Sequence, residues 1–450
     1  MKKIFSVCIL LLLSVMAFAV EKTVNLTVNG KSRSFLLHAP NNVGENVPLV
    51  FSLHGTGGHS SDKAPMGTDV ADSEGFIVVY PQGSDIHFPV FGATLPGWHS
   101  TGEYSEDVDF FMAIIEKVAE SYSIDRKRIY CCGFSNGGMM TYTQTSTCAD
   151  VFAAFASISG FQLNEFHLHH AGPRPVPFLH IHGKNDNFVD IARMPTIVDN
   201  MVARIGANPV PEVTTVSGKY TKSVYKATEG GFPYIYYVIE GMGHEAYTNK
   251  TPEGHSGKTM WNFMKQYTLD TPRDETLKWR PAVETEGYTP NLHGWTISSK
   301  TMQYGDDPAS TVKNVQNVYH SFQLAKGNYK LCFKSQGEEG TITVTIKKYT
   351  GNKATILNET VPIGQDAQLV FTSDDEFAEC QFRLKGSVAV TVTDLGLYAA
   401  TDEEMSVQAP QASATGDARY YNLSGISSAQ PQKGINVVRN GSKSTKVLVK

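Results

Sequence analysis

Short apolar runs alternate with amphipathic segments of helical period over about 250 residues, and this alternation limits the possible folds more than any other feature. The runs are rich in Val, Ile, Phe or Tyr and bounded by Gly or Pro, as buried parallel strands are. They are Pro48–Leu53, Phe76–Tyr80, Arg128–Cys132, Val176–Ile181 and Tyr234–Ile239. Helices are predicted at Asp107–Tyr122, Gly137–Cys148, Met194–Ile205 and Lys258–Tyr267. The pattern predicts an α/β fold over residues 20–270, with a mostly parallel sheet and helices on both faces.

The strand pattern changes near Thr271-Pro272. Segments of period two follow, separated by turn residues and without a convincing helix, which predicts an all-β, jelly-roll-like sandwich over residues 271–400. The predicted strands are Tyr319–Leu324, Asn328–Lys334, Thr341–Lys347, Ala367–Thr372, Ala378–Leu384 and Val388–Leu395. Residues 401–418 are a predicted linker, rich in Ser, Ala, Gln, Pro, Thr and Gly. Residues 419–450 are too few to hold a core alone.

The amino terminus, residues 1–19, has the pattern of a secretory signal peptide. Two lysines precede an apolar run from Val7 to Met16, and Ala17 and Ala19 supply the small residues of a cleavage site. This run is too short to span a membrane. Loss of the two lysines would change the formal charge from −5 to −5 − 2 = −7. Because of this signal pattern, we expect an exported protein.

A slightly acidic chain without a long basic run is not typical of proteins that bind nucleic acid or anionic membrane surfaces.

The strongest chemical signal is the motif Gly133-Phe134-Ser135-Asn136-Gly137, which follows a predicted strand and precedes a predicted helix. In that context Ser135 would lie at a sharp strand-to-helix turn with its hydroxyl exposed, and the flanking glycines would keep side chains out of the turn. The first N–H groups of the following helix would face developing negative charge. The motif predicts that Ser135 is a nucleophile.

A glycine-rich loop, His54-Gly55-Thr56-Gly57-Gly58, directly follows the predicted strand that ends at Leu53. Such a loop brings a backbone N–H group close to a nucleophile at the neighbouring strand end. We expect the N–H groups of Thr56 and Asn136 to form an oxyanion hole.

A serine nucleophile needs a base, and the base needs an acid that orients it. Asp186 follows the predicted strand Val176–Ile181, and His244 follows Tyr234–Ile239. Because both lie just after later strands, in the chain order serine, acid, histidine, we expect them to serve Ser135. The alternatives are Asp190 as the acid and His255 as the base. His180 and His182 lie on or at the end of a predicted strand, where we expect them to be packed or hydrogen-bonded.

A histidine cluster raises the question of a metal site. His167, His169 and His170 lie beside Glu165 in a predicted loop, but no cysteine or acidic pair at zinc spacing accompanies them. We predict no metal. The serine chemistry requires no cofactor.

Six motifs occur in the order found in a known group of secreted hydrolases: HGTGG, EGFIVVYPQG, PGWHSTG with EDVDF, GFSNGGMM, HGKNDNFV and GMGH. Over residues 22–268 the chain resembles the polyhydroxybutyrate depolymerase-like group, which overlaps the feruloyl and acetyl xylan esterases of carbohydrate esterase family one. The resemblance implies an α/β-hydrolase fold with Ser135, Asp186 and His244 as nucleophile, acid and base. It also implies that Trp98 lines the acyl pocket.

The chain departs from this group at two places near the expected substrate cleft. Many relatives have a cysteine after the tryptophan, where this chain has Ser100-Thr101-Gly102. Many also follow the histidine with Thr-Trp-Pro, where this chain has Glu245-Ala246-Tyr247. These departures bear on the identity of the substrate.

The combined signals predict a secreted serine esterase that removes feruloyl or acetyl groups from plant cell-wall xylan through an acyl-enzyme. A polyester depolymerase or peptidase on the same fold is an alternative, and a non-enzymatic glycan-binding surface protein is another. The predicted sandwich resembles a carbohydrate-binding module appended to such an esterase. Residues 419–450 resemble the sorting tails of Bacteroidetes type IX secretion substrates, which implies a position at the cell surface or in the medium.

The chain has six cysteines, too few for a disulfide-scaffolded module, and Cys8 would leave with the signal peptide. One bridge in each domain is compatible with the remaining five, and Cys332–Cys380 is the simpler pairing. An odd number leaves one cysteine unpaired within the chain.

Overall fold

The computed structural model describes residues 19–449, and several segments within that range lie outside the description. These are 42, 101–105, 163–173, 280–295, 298–302, 305–311, 314–317, 349–352, 389, 407–418, 423–426, 429–433 and 441–442. The predicted signal peptide, apart from residue 19, and most of the predicted linker therefore lie outside the described residues. The histidine cluster at residues 167–170 lies outside them too.

Twelve strands belong to the amino-terminal region. They are β1 (Val20–Val28), β2 (Lys31–Ala39), β3 (Val47–Leu53), β4 (Ile77–Pro81), β5 (Ser84–Phe88), β6 (Ala93–Gly97), β7 (Ile124–Phe134), β8 (Ala154–Ile158), β9 (Phe178–Gly183), β10 (Glu212–Val216), β11 (Tyr220–Tyr225) and β12 (Tyr234–Ile239). Ten of them form one sheet in the order β1-β2-β4-β3-β7-β8-β9-β12-β11-β10, and β5 and β6 form a separate hairpin.

This ten-stranded sheet is mixed, which corrects the expectation of a mostly parallel sheet. Its centre, from β4 to β12, is parallel, whereas β1, β2 and β4 pair antiparallel at one edge and β12, β11 and β10 at the other. Asn29 and Gly30, with φ of 51° and 73°, form the tight turn that joins β1 to β2. Strands β10 and β11 carry no buried residue, so they lacked the apolar run by which five of the six central strands were predicted. The sixth, β8, is buried throughout but was not predicted.

Helices cover both faces of the sheet, as predicted. They are α1 (Thr68–Glu74), α2 (Glu106–Ala119), α3 (Asn136–Thr147), α4 (Met194–Arg204) and α5 (Ser256–Met264). Successive residues of the central strands enter different cores: Phe51 belongs to the core that contains Phe111 of α2, and Val50 to the core that contains Trp261 of α5. Because successive strand side chains point to opposite faces, a strand buried on both faces has a continuous apolar sequence.

The region after residue 270 is rich in strands. They are β13 (Leu277–Trp279), β14 (Thr296–Ile297), β15 (Gln303–Tyr304), β16 (Val312–Lys313), β17 (Val318–Gly337), β18 (Thr341–Lys348), β19 (Thr355–Pro362), β20 (Ala367–Gly386), β21 (Val390–Ala399), β22 (Arg419–Asn422), β23 (Ser427–Ser428), β24 (Gly434–Asn440) and β25 (Lys443–Val449), with one short helix, α6 (Asp402–Ser406). Strands β13 to β21 form a nine-stranded antiparallel sheet with its own apolar core, and β22 to β25 form a four-stranded sheet. The jelly-roll arrangement stays a prediction.

The described cysteines do not form the disulfide bonds that the sequence allowed. Cys131, Cys132, Cys148, Cys332 and Cys380 are all free thiols. On the paired strands β17 and β20, Cys332 lies opposite Gln368, whereas Cys380 lies opposite Phe322, ten positions away along β17 (332 − 322 = 10). At about 3.4 Å per residue, that offset is far greater than the Cα separation of under about 7 Å that a disulfide requires. The suggested Cys332–Cys380 bridge is therefore wrong.

Among the described residues, no helix combines the length and the apolar character needed to cross a bilayer.

Candidate active site

Ser135 lies at the junction of β7 and α3, in a backbone conformation that serine seldom adopts. Its φ is 53° and its ψ −119°, so the chain turns sharply from strand to helix. The turn requires glycine on both sides. A Cβ at Gly133 would lie 2.1 Å from the carbonyl oxygen of Gly137, and one at Gly137 would lie 2.3 Å from that of Leu53. The Gly-x-Ser-x-Gly pattern therefore reflects close backbone packing around Ser135.

The loops after β9 and β12 bring Asp186 and His244 to this serine. His244 Nε2 lies 2.9 Å from Ser135 Oγ, and His244 Nδ1 lies 2.8 Å from Asp186 Oδ2. Ser135 and Asp186 are buried, whereas the His244 side chain is 21% exposed and borders solvent. The arrangement has the geometry of a nucleophile, a base and an orienting acid.

The structure does not bring the rival acid and base to Ser135. Asp190 accepts a hydrogen bond from the N–H of Ala192 and caps a short 3-10 helix. His255 caps α5 through a hydrogen bond from the Lys258 N–H, and its Nε2 lies 3.6 Å from Asp69. Both residues thus have local structural partners at helix starts.

The environment of Asp186 favours its ionised form. Burial alone would raise the pKa of this carboxyl, but hydrogen bonds from His182 and His244 and from the backbone N–H of Val189 hold it well below its usual range. The N–H groups of Phe188 and Val189 both donate to Oδ1 at 2.9 Å, whereas Oδ2 faces His244 at 2.8 Å and His182 at 3.4 Å. Asp186 therefore presents a fixed negative charge to the imidazole.

Some backbone N–H groups of the glycine-rich loop already make hydrogen bonds, which removes them as donors to an oxyanion. The N–H of Gly57 donates to Pro96 and that of Gly58 to Gly55, so neither is available to a substrate. Within the described part of the chain, the N–H of Thr56 has no backbone partner. The N–H of Asn136 is the first of helix α3 and so has no partner inside the helix. Thr56 and Asn136, the donors expected from sequence, therefore stay candidates for the oxyanion hole.

His54 holds the loop that carries Thr56. Its Nδ1 donates to the carbonyl oxygen of Gly55 at 2.7 Å, and its Nε2 accepts from the N–H of Gly83 at 2.9 Å. Burial lowers the pKa of this imidazole below its ordinary value, which keeps it neutral and able to accept.

Trp98 lies under this loop instead of at an open surface. Its ring is 1% exposed, and its indole N–H donates to the carbonyl oxygen of His54 at 2.8 Å. The implied role of Trp98 in lining the acyl pocket is therefore revised to one of support. Its backbone N–H also donates to Asn136 Oδ1 at 2.7 Å, while Asn136 Nδ2 donates to Ser100 Oγ at 3.2 Å. The Asn136 side chain thus ties the residue after the serine to the segment around Trp98, a role that sequence reasoning missed.

Two exposed phenylalanines border the site and were not selected from sequence. Phe188 lies in the turn that begins at Asp186, and its side chain is 59% exposed. Its ring centroid lies 4.9 Å from that of His244. Phe91, at the tip of the β5–β6 hairpin, stacks on Phe188 with centroids 5.7 Å apart and planes 11° apart. The hairpin was not predicted, so the sequence held no signal that placed Phe91 at the site.

Comparisons with known proteins identify the family. The Phospholipase/Carboxylesterase family matches residues 41–215. A bifunctional acetylxylan esterase/xylanase from Neocallimastix patriciarum is 31% identical over 54% of this chain and 34% of its own length. Feruloyl esterase D from Neurospora crassa is 27% identical over 55% of this chain and 86% of its own. A probable feruloyl esterase C from Aspergillus niger is 30% identical over 52% of this chain and 84% of its own.

The chain belongs to the family of the Aspergillus niger protein, among the α/β-hydrolase carboxylic ester hydrolases. The chain spans about a third of the length of the Neocallimastix relative and most of the length of the two feruloyl esterases. The family match contains Ser135 and Asp186, and His244 follows it.

The described residues of this esterase family member contain no group of three or more His, Cys, Asp or Glu side chains placed to hold a metal ion.

Proposed function

We propose that the protein is a serine esterase that hydrolyses ester-linked feruloyl or acetyl groups on plant cell-wall xylan through an acyl-enzyme. One observation carries the proposal: a single imidazole, that of His244, lies 2.9 Å from Ser135 Oγ and 2.8 Å from Asp186 Oδ2. Asp186 orients the imidazole with Nδ1 protonated, which leaves Nε2 free to accept the serine proton. The names of the curated relatives support the ester class.

In the proposed reaction, His244 Nε2 takes the proton of Ser135 as Oγ attacks the ester carbonyl. The N–H groups of Thr56 and Asn136 bind the resulting oxyanion. His244 then gives its proton to the leaving alcohol oxygen, and the acyl group remains on Ser135. Water, deprotonated by His244, attacks the acyl-enzyme and releases the acid, which restores the serine.

The stacked phenylalanines favour an aromatic acyl group over acetyl. The Phe188 ring contacts the imidazole that serves the ester, and it remains more than half exposed. An aromatic ring packed against such a face gains about 0.5–1.5 kcal/mol beyond its buried area. A feruloyl group is long enough to place its ring there, whereas an acetyl methyl group stays beside the carbonyl carbon.

The remaining regions extend the proposal to a polymeric substrate outside the cell. We propose that the β-rich region after residue 270 is a jelly-roll-like carbohydrate-binding module, since binding to the same polymer raises the local substrate concentration. Residues 1–19 would direct export, and residues 419–450 would act as a type IX sorting segment.

The test compares the full chain with Ser135→Ala on nitrophenyl acetate, wheat arabinoxylan, acetylated xylan and a polyester suspension. We expect the wild type to release ferulate or acetate and the variant, with an unchanged thermal transition, to release neither. Activity retained by Ser135→Ala would contradict the nucleophile. Clearing of the polyester without release from xylan would favour the depolymerase alternative. Failure of the wild type to react with a fluorophosphonate probe would favour a non-enzymatic glycan-binding protein.

A further inference from the structure

A chain of buried polar side chains runs from the interior to Asp186. The hydroxyl groups of Tyr234 and Tyr142 lie 2.8 Å apart, and the Tyr142 hydroxyl lies 2.9 Å from His180 Nδ1. His180 Nε2 lies 3.0 Å from His182 Nδ1. All four side chains are buried, and both histidines are 0% exposed. The reaction proposed above uses none of them.

The last member of this chain contacts the acid and its loop at the same time. His182 Nε2 lies 2.8 Å from the carbonyl oxygen of Val189 and 3.4 Å from Asp186 Oδ2. The N–H of Val189 in turn donates to Asp186 Oδ1. His182 is therefore bound to both ends of the turn that presents Asp186 to His244.

The carbonyl oxygen of Val189 is the last acceptor in this chain of side chains, and it determines the direction of every hydrogen bond along the chain. A carbonyl oxygen only accepts, so His182 Nε2 must carry a proton; in a neutral imidazole its Nδ1 then accepts from His180 Nε2–H. His180 Nδ1 accepts in turn from the Tyr142 hydroxyl, and Tyr142 accepts from Tyr234. Burial, with His182 adjacent, holds the pKa of His180 well below its ordinary value, which agrees with a neutral ring.

From this geometry we propose that His182 is a positioning residue for the reaction. Held in its Nε2–H form by Tyr234, Tyr142 and His180, it donates to the Val189 carbonyl and to Asp186, and so fixes the carboxylate that orients His244. The inference rests on the proposed role of His244. By sharing the charge of Asp186, this donor also limits how strongly Asp186 stabilises the protonated imidazole.

The decisive measurement is the NMR signal of the His244 Nδ1–H proton in the free protein, together with kcat and KM. Glu245, which accepts from the Gly243 N–H, is a charged neighbour of His244 along the chain, and the ring neighbours Phe134 and Phe188 carry no charge. Removal of the donor in His182→Leu makes Asp186 a stronger acceptor, so we expect the His244 Nδ1–H signal to move downfield. We also expect kcat at pH 7 to fall about tenfold with little change in KM.

Further variants test whether the effect comes from the hydrogen bonds of His182 or from the packing of its ring. His182→Gln retains an N–H at the Nε2 position and should restore most of the His244 Nδ1–H signal position and of kcat. Tyr142→Phe, which removes the donor to His180, should move that signal in the same direction but less than His182→Leu. Tyr236→Phe is the control, since its ring lies 5.7 Å from that of His180 while its hydroxyl is outside the chain; it should change nothing.

An unchanged His244 Nδ1–H signal in folded His182→Leu would overturn the proposal, and so would equal losses of kcat in His182→Leu and His182→Gln. Because the signal is read without substrate, it tests the role of His182 even if no xylan ester is hydrolysed. If Ser135→Ala loses activity while the His182 variants behave as wild type, the proposed function stands and only the role of His182 fails.

Discussion

Arg33 and Asp107 form a buried ion pair, with Arg33 Nη2 2.7 Å from Asp107 Oδ1 and both side chains less than 10% exposed. The other carboxylate oxygen, Oδ2, accepts from the backbone N–H of His99 at 2.9 Å. His99 follows Trp98, which is bonded to the Asn136 side chain. The pair therefore links β2 and α2 to the segment that supports Asn136, the residue after Ser135.

Removal of one partner of this pair should destabilise the fold strongly. We expect Asp107→Asn to lower the free energy of unfolding by about 3–5 kcal/mol, because Arg33 would remain buried without its counter-charge. Denaturant unfolding followed by circular dichroism measures the change. Asp85→Asn, at an exposed carboxylate on β5, is the control and should stay within about 0.5 kcal/mol of the wild type. Equal effects of the two variants would contradict the role assigned to the pair.

His99 should make this stabilisation depend on pH. Its hydrogen bond to Asp107, against the opposing effect of burial, raises the pKa of His99 above its ordinary value of 6.5. A group with a raised pKa in the folded state contributes stability that is complete below its unfolded pKa and is lost as pH rises through the folded pKa. We therefore expect the stability difference between wild type and His99→Gln to be largest below pH 6.5 and to shrink at higher pH. Unfolding curves measured from pH 5 to 9 test this expectation. A stability difference between the two proteins that stays constant with pH would contradict it.

Asp186 should be distinguishable from its neighbour Asp190 by kinetics. Asp186→Asn removes the acceptor at His244 Nδ1 and allows the wrong imidazole tautomer, so we expect kcat to fall by about 10⁴-fold. Asp190→Asn alters only the cap of a short helix and should leave kcat within about threefold of the wild type. Hydrolysis of nitrophenyl acetate measures both, and a comparable loss in Asp190→Asn would reopen the assignment of the acid.

Phe188 should select among acyl groups. Truncation in Phe188→Ala removes the exposed ring beside His244, so we expect kcat/KM for methyl ferulate to fall about tenfold while that for nitrophenyl acetate changes little. Val90→Ala, at the 82% exposed hairpin position next to Phe91, is the matched control. Equal losses on both esters would show that Phe188 supports His244 instead of the acyl group.

The proximity of Ser135, Asp186 and His244 could be predicted because each follows a strand with a strong local signal. Asp186 and His244 lie just after buried apolar runs, and the carboxyl ends of neighbouring parallel strands meet at one edge of a sheet. Trp98 shows the limit of this reasoning. The family resemblance implied that Trp98 lines the acyl pocket, but its burial depends on the His54 loop, which lies 44 residues earlier.

Local pattern was enough to place five of the six central strands, all except β8, and four of the five helices of this region, all except α1. It also selected Ser135, Asp186 and His244, since periodicity and chain order reflect which side chains must leave water. The antiparallel edge formed by β11 and β10, the stacking of Phe91 on Phe188, and the buried chain that ends at His182 came only from the folded protein. Those features join residues far apart along the chain, and their positions depend on how loops of irregular backbone pack together. No periodic pattern in the sequence encodes such contacts.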